Sequence, residues 1–361
     1  MEYIKPYPTS AVINLTDECN FRCPYCFTEH HPKRSTFEIV DQTCAFLLAN
    51  HKQNSRFPTI TFFGGEPMLE YASIIKPIVE KYTNSIEWGI TTNGSLLTED
   101  VLDFFRLHNF SILLSIDGIA EVQNKQRPYK DGRPSFEKVC KNIPYLLMLF
   151  PDTMFRSTVT KYSIPFMNKN YDFAEHMGFK SIAYVVNENE EYDLKDFEEL
   201  EHQYNMLALK MLRGHNTIVN DFSKAKMWST PHDFSINRCG FGTTSIGVDV
   251  DGDITPCQEL NTLKSIVIGN VFSGIDEKRH KEFLTQNFNV QKDTFIPNAE
   301  QLTSEEISFI RNALCPKHQY LGNMTLSDGR RYQMLALLHS YKRLRLLIED
   351  SNNPIFRRIK L

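Results

Sequence analysis

The sequence predicts an α/β protein. A partial, open barrel of six strand–helix units, a (β/α)6 arrangement, should be followed by a smaller hairpin-bearing C-terminal domain. Three observations carry this. Short β-rich apolar runs alternate with helical stretches through the first half, the pattern of βαβ units on a parallel sheet. Six such units fall short of the eight that close a full barrel. Near Asn187 the texture changes, and a hairpin pattern appears further on.

Taken in order, the strands are expected at 11–15, 59–63, 88–92, 111–116, 156–160 and 181–186, each rich in β-branched or aromatic residues. The helices are expected at Val40–Asn50, Tyr71–Thr83, Thr98–His108, Ser135–Phe150 and Met167–Met177. Ligands on such a sheet collect at the C-terminal ends of the strands. Residues 187–215 are acidic and helical in pattern and read as a surface linker helix. TSIGVDVDGDITPC alternates on both sides of Asp251–Gly252, an Asp-Gly turn signal. The aspartates 249, 251 and 253 lack the spacing and distal Glu of an EF-hand, so they read as turn polarity. A final helix is expected around Arg331–Glu349. The resulting division is 1–190 barrel, 191–234 helical linker, 235–325 small domain, and 326–361 C-terminal helix and tail.

Composition excludes several classes. Of 361 residues, 41% are hydrophobic and 23% charged, as in a globular protein, and the net charge of −4 gives no general pull toward nucleic acid. The basic C-terminal segment from Tyr341 reads as a solvated helix face. No apolar run reaches membrane-spanning length, and the N-terminus has no secretory pattern, so no membrane is expected and the cytoplasm is the expected compartment. Disulfides are rare there, so the eight cysteines point to metal binding or catalysis.

Cys19, Cys23 and Cys26 form C-x3-C-x2-C just after the first strand. Three thiolates on one tight loop suit a metal cluster with one open coordination site. Zinc is the rival reading, with His30 or His31 as a fourth ligand. Tyr25, before the third cysteine, is placed either to pack on a bound ligand or to pack the loop.

ECNFRCPYCF resembles the signature of the radical S-adenosylmethionine (SAM) superfamily, and further motifs match in order over roughly residues 10–190. Gly64, Gly65, Glu66 and Pro67 resemble the GGEP loop that holds the amino group of SAM. Thr92–Asn93–Gly94 resembles the TNG segment. Ser115 and Asp117 resemble the S-x-D-G loop, with Ser115 a SAM contact. Arg127 resembles the arginine that meets the SAM carboxylate. The resemblance implies a [4Fe–4S] cluster on Cys19, Cys23 and Cys26, reductive cleavage of SAM, and a 5′-deoxyadenosyl radical that takes hydrogen from an unreactive carbon.

Cys239 and Cys257, spaced C-x12-G-x4-C through Gly252, resemble the opening of a SPASM or twitch auxiliary-cluster domain. Cys315 is the only cysteine further on, whereas a full SPASM region carries seven. The resemblance therefore implies one auxiliary [4Fe–4S] cluster on Cys239, Cys257 and Cys315, with His318, another residue or substrate as the fourth ligand. A zinc site remains the alternative for this set. Cys44 and Cys140 read as buried apolar side chains.

The same resemblance implies a peptide or protein maturase that crosslinks, epimerises or oxidises residues of a ribosomally made peptide. Sulfatase maturation, a small-molecule substrate and a non-catalytic metal scaffold stay open. Expected partners are a peptide or protein substrate and an electron donor such as flavodoxin or ferredoxin. The first strand begins within about ten residues, so no leader-binding domain is expected before it, and a separate leader-binding protein is a candidate partner.

Overall fold

The computed structural model describes residues 6–50, 57–229, 240–286, 296–314 and 327–349. Six parallel strands form the barrel: β1 Ser10–Asn14, β2 Thr59–Phe63, β3 Glu87–Thr92, β4 Ser111–Ser115, β5 Met154–Val159 and β6 Ser181–Val186. A two-residue strand, β7 Ile218–Val219, continues them in parallel. Four short strands follow: β8 Ser245–Val248, β9 Asp253–Thr255, β10 Gly269–Asn270 and β11 Gly274–Ile275. The sheet order is β11-β10-β9-β8-β1-β2-β3-β4-β5-β6-β7, and the sheet does not close.

The helices are α1 Phe37–Asn50, α2 Lys76–Lys81, α3 Glu99–Leu107, α4 Ala120–Gln126, α5 Phe136–Cys140, α6 Ile143–Leu149, α7 Met167–Met177, α8 Leu194–Leu212, α9 Asn220–Ser229, α10 Glu277–Gln286, α11 Ser304–Ala313 and α12 Asp328–Glu349. The expected helix over 135–150 is broken into α5 and α6. Pro144 in the first turn of α6 has no N–H to continue the earlier helix, and the Asn142 side chain turns away to donate to the Leu97 carbonyl at 2.5 Å. The short α4 is an addition to the expected elements.

Each barrel strand separates an outer, helix-facing side from an inner side. On β5, Phe155 packs edge-on against Phe173 and Phe179 of the helix layer, while Met154, Arg156 and Thr158 alternate with it and face the lumen. The outer core holds a ring stack of Phe62, Trp88 and Phe110, with Phe105 at 4.2 Å from Phe110.

The β8–β9 hairpin forms as its alternation implies, with Gly252 at φ 82° in the turn. Its new feature is that β8 pairs in parallel with β1, from Ser10↔Ser245 to Ile13↔Val248. The hairpin thus extends the barrel sheet and covers what would otherwise be the exposed edge of β1. Its aspartates are ion-paired: Lys264 Nζ lies 2.7 Å from Asp249 and 2.8 Å from Asp253, and Lys33 reaches Asp251 at 3.3 Å.

The acidic stretch becomes α8, opened by a capping box of Asp193 and Asp196. Leu200, Tyr204, Leu207 and Met211 recur at helical spacing and are buried, and α8 lies along α12. The edge of β6 beyond β7 is closed by side chains. Asp221 accepts from Tyr184 N–H at 2.9 Å, while Gln333 of α12 accepts from Val186 N–H and donates to the Tyr184 carbonyl at 3.0 Å.

Candidate active site

The loop carrying Cys19, Cys23 and Cys26 is held on two sides. On one, Gly65 N–H donates to Thr16 O at 2.7 Å and Glu66 N–H to Glu18 O at 2.9 Å. A Cβ on Gly64 would stand 2.4 Å from Thr16 O, and one on Gly65 would stand 2.1 Å from Glu18 O. The two glycines are therefore needed because the backbone of the cysteine loop lies directly on them. On the other side, Arg22 N–H donates to Pro128 O and Lys130 N–H to Asn20 O, both at 2.9 Å, and Phe21 meets Tyr129 edge-on at 4.9 Å.

Cys19 and Cys23 are half-buried, Cys26 is exposed, and none is in a disulfide. Burial pushes the Cys19 thiol up to about 11 and that of Cys23 to about 12. A bare loop would keep these sulfurs protonated, whereas metal ligation holds them as thiolates. Phe21 N–H already donates to Cys19 Sγ at 3.4 Å. Three thiols on one stapled loop, with a backbone N–H aimed at a sulfur, fit a [4Fe–4S] cluster. The imidazoles that would complete a zinc site have other partners: His30 lies 3.3 Å from Asp17 O and His31 3.1 Å from Glu29.

Glu66 is buried with its carboxylate over the TNG segment. It accepts from Thr92 Oγ1 at 2.7 Å, Asn93 N–H at 2.8 Å and Met68 N–H at 3.1 Å, and burial raises its pKa to about 7. A carboxylate has about four acceptor positions, which leaves room for one more donor. Pro67 follows it as the first residue of a 3-10 turn. Asn93 turns its amide to Asn20 at 2.9 Å and accepts from Ser95, so the cysteine loop and the end of β3 are joined through side chains. Ser115 ends β4 half-buried on the lumen side.

Asp117 is the hub of the site and is completely buried. Its carboxylate accepts from the Tyr25 hydroxyl, from Gln126 Nε2 at 2.8 Å and from Thr158 N–H at 2.9 Å, and pairs with Arg127 Nε at 3.1 Å. Arg127 also stands over the Tyr25 ring, 5.5 Å from its centroid. Tyr25 therefore ties the cysteine loop to the end of β4.

The family model of the Radical SAM superfamily matches residues 13–176, from β1 into α7, and so spans every one of these groups. Residues 13–176 are a radical SAM domain. The chain is 25% identical over 298 residues to the cysteine-type anaerobic sulfatase-maturating enzyme of Clostridium novyi, covering 75% of this chain and 78% of that one. Its fold is similar to that of native anSMEcpe with bound AdoMet and Kp18Cys peptide, with a TM-score of 0.71 at 20% identity over 94% of this chain and 99% of the other. It is also similar to Streptococcus suis SuiB bound to precursor peptide SuiA, with a TM-score of 0.58 at 16% identity over 76% and 64%. The chain thus shares the α/β fold of these proteins beyond the barrel as well as within it, and its radical SAM domain is that of an enzyme.

Several polar groups of the radical SAM domain were not singled out by the sequence motifs. Gln123 and Gln126 come from α4, where Gln123 accepts from Asp117 N–H at 2.9 Å. Arg156 faces the lumen from β5, and a charge in an alternating apolar run was the signal available for it. In the second cysteine set, Cys257 lies two residues beyond β9, half-buried, and its thiol lies 3.4 Å from Gln258 Oε1. Cys239, Cys315 and His318 lie outside the described residues. Cys44 is buried in α1 and Cys140 half-buried at the end of α5, both packed in the core.

Proposed function

We propose that this radical SAM enzyme abstracts hydrogen from a residue of a ribosomally made peptide, as the first step of crosslinking, thioether formation, epimerisation or a related maturation. When bound, the reduced [4Fe–4S] cluster and SAM supply a 5′-deoxyadenosyl radical for that abstraction. The chain's own residues bind, orient and exclude water. Cys19, Cys23 and Cys26 hold the cluster. Gly64, Gly65, Glu66, Pro67 and Asn93 line the amino-group side of SAM, and Glu66 keeps one acceptor position for an ammonium. Ser115 meets the sugar region, and the terminal nitrogens of Arg127 meet the carboxylate. Asp117 acts through Tyr25 and Arg127 by fixing their positions.

The observation that carries the peptide reading is the similarity of fold, across nearly the whole chain, to a protein solved with AdoMet and a peptide together. An open sheet agrees with it, because an extended substrate needs an unclosed mouth. Beyond the barrel (1–190) and helical linker (191–234), we assign 235–325 to a SPASM/twitch-like unit. There Cys239, Cys257 and Cys315 hold one auxiliary [4Fe–4S] cluster, ahead of the helix and tail at 326–361. A flavodoxin or ferredoxin supplies the electron, in the cytoplasm, and a separate protein presents the leader. Among the described residues no helix is long and apolar enough to cross a membrane.

A sulfatase-type protein maturase is the second reading, favoured by the relative from Clostridium novyi. Co-expression with short peptides encoded beside the gene, followed by mass spectrometry, tests the first reading. A mass change in one such peptide, dependent on Cys19, Cys23 and Cys26, is the expected result. An aldehyde formed on a sulfatase peptide, with every neighbouring peptide unchanged, would replace it with the second. Turnover of a small molecule alone would remove both.

A further inference from the structure

The lumen carries a cationic group that the radical SAM reading does not use. Arg156 stands at the centre of β5, and its register partner on β4 is Ser115. Its Nη1 is buried without a hydrogen-bond partner. Leaving a buried charged donor unmade is costly, so such a group is a candidate place for a ligand. Lys224 on α9 faces the same region and makes no hydrogen bond or ion pair among the described residues. Burial pulls both cations below their ordinary pKa values. Asp221 pulls back on both and Glu259 on Arg156, while Arg330 repels both, Arg127 repels Arg156, and Arg156 repels Lys224. Among the described residues neither carboxylate forms an ion pair with Arg156 or Lys224, and Asp221 accepts instead from the Tyr184 backbone at 2.9 Å. Arg330 in turn has Gln333 at 2.8 Å and Glu188 at 3.8 Å. Arg156 and Lys224 are left facing the lumen without an ion pair among the described residues.

Their place in the sheet limits what they meet. The cysteine loop and the GGEP loop follow β1 and β2, while Arg156 is on β5 and Lys224 follows β7. The two cations therefore lie across the lumen from the cluster loop, beyond Ser115. We infer that Arg156 and Lys224 form a carboxylate-binding site that holds an anionic group of the substrate next to the carbon that loses hydrogen. The inference rests on the proposed function for calling that ligand substrate. The same carboxylate chemistry could come from SAM itself, and the test separates the two.

The anaerobically reconstituted, SAM-loaded chain is titrated calorimetrically with N-acetyl-aspartate N-methylamide and with its asparagine counterpart. The aspartate probe should bind about tenfold more tightly, the size expected of one charge-assisted hydrogen bond. Arg156→Gln should erase that preference, Arg156→Lys should keep part of it, and Lys224→Met should shrink it while leaving β5 untouched. SAM affinity should stay within about twofold in all three. Equal binding of the two probes to the unaltered protein, or no binding of the aspartate probe, overturns the site. A tenfold loss of SAM affinity in Arg156→Gln assigns the carboxylate to SAM and overturns the substrate assignment. Neither probe has to be turned over, so a failed peptide-modification experiment leaves this readout standing.

Discussion

Asp117 shows how much of the site rests on one carboxylate. It accepts hydrogen bonds from Tyr25, Gln126 and Thr158 and pairs ionically with Arg127, with no exposure to solvent. Asparagine in its place would turn an amide toward those donors and leave Arg127 as a buried, unpaired charge. Removing one partner of such a pair costs about 3–5 kcal/mol. Urea unfolding of Asp117→Asn should show a loss of that size. The double variant with Arg127→Met should lose less than the sum of the two single losses, because the residues share one interaction. Additive losses would mean the pair is not coupled. The sequence motifs did name Asp117 and Arg127, but as contacts of a cofactor. That they pair with each other was hidden, because the residue that brings Arg127 round is the short α4, whose seven residues carry no clear apolar period.

At the scale of elements, the strands were legible because β-branched and aromatic residues alternate within them, and all six barrel strands stand within a few residues of their expected places. The helix over 135–150 was misread because its apolar period runs through Pro144, and the break is a backbone effect that periodicity does not register. Pairing of β8 with β1 was not legible either, since partners 235 residues apart share no local signal. The closing of the β6 edge belongs to the same class. Gln333 satisfies the Tyr184 carbonyl and Val186 N–H from a helix near the other end of the chain. Gln333→Leu fits the same volume and orphans both groups, at about 1–3 kcal/mol each. A lowered unfolding midpoint, with faster hydrogen exchange at Val186 than at Phe155, is the expected outcome. Unchanged exchange at Val186 would show that the side chain is not the edge's partner.

For the whole molecule, the barrel motifs were readable because each sits at a strand end, where the fold gathers them. The second cysteine set rests on its resemblance to the opening of a SPASM or twitch domain. One auxiliary cluster predicts about eight irons per chain after anaerobic reconstitution, from two [4Fe–4S] clusters. Replacing Cys19, Cys23 and Cys26 should leave about four, and further replacing Cys239, Cys257 and Cys315 should leave almost none. A zinc site in the second set would give about four irons and one zinc, with no iron in the first triple variant.

The central claim is that the loop stapled between the GGEP segment and Pro128–Lys130 holds the cluster that cleaves SAM. Its most direct test is 5′-deoxyadenosine formed from SAM and dithionite, measured by liquid chromatography on the reconstituted chain and on the variant with Cys19→Ala, Cys23→Ala and Cys26→Ala. The unaltered chain should form it, and the variant should form none while keeping its circular dichroism spectrum, because the loop's backbone ties do not involve the sulfurs. Equal formation by the folded variant would contradict the assignment.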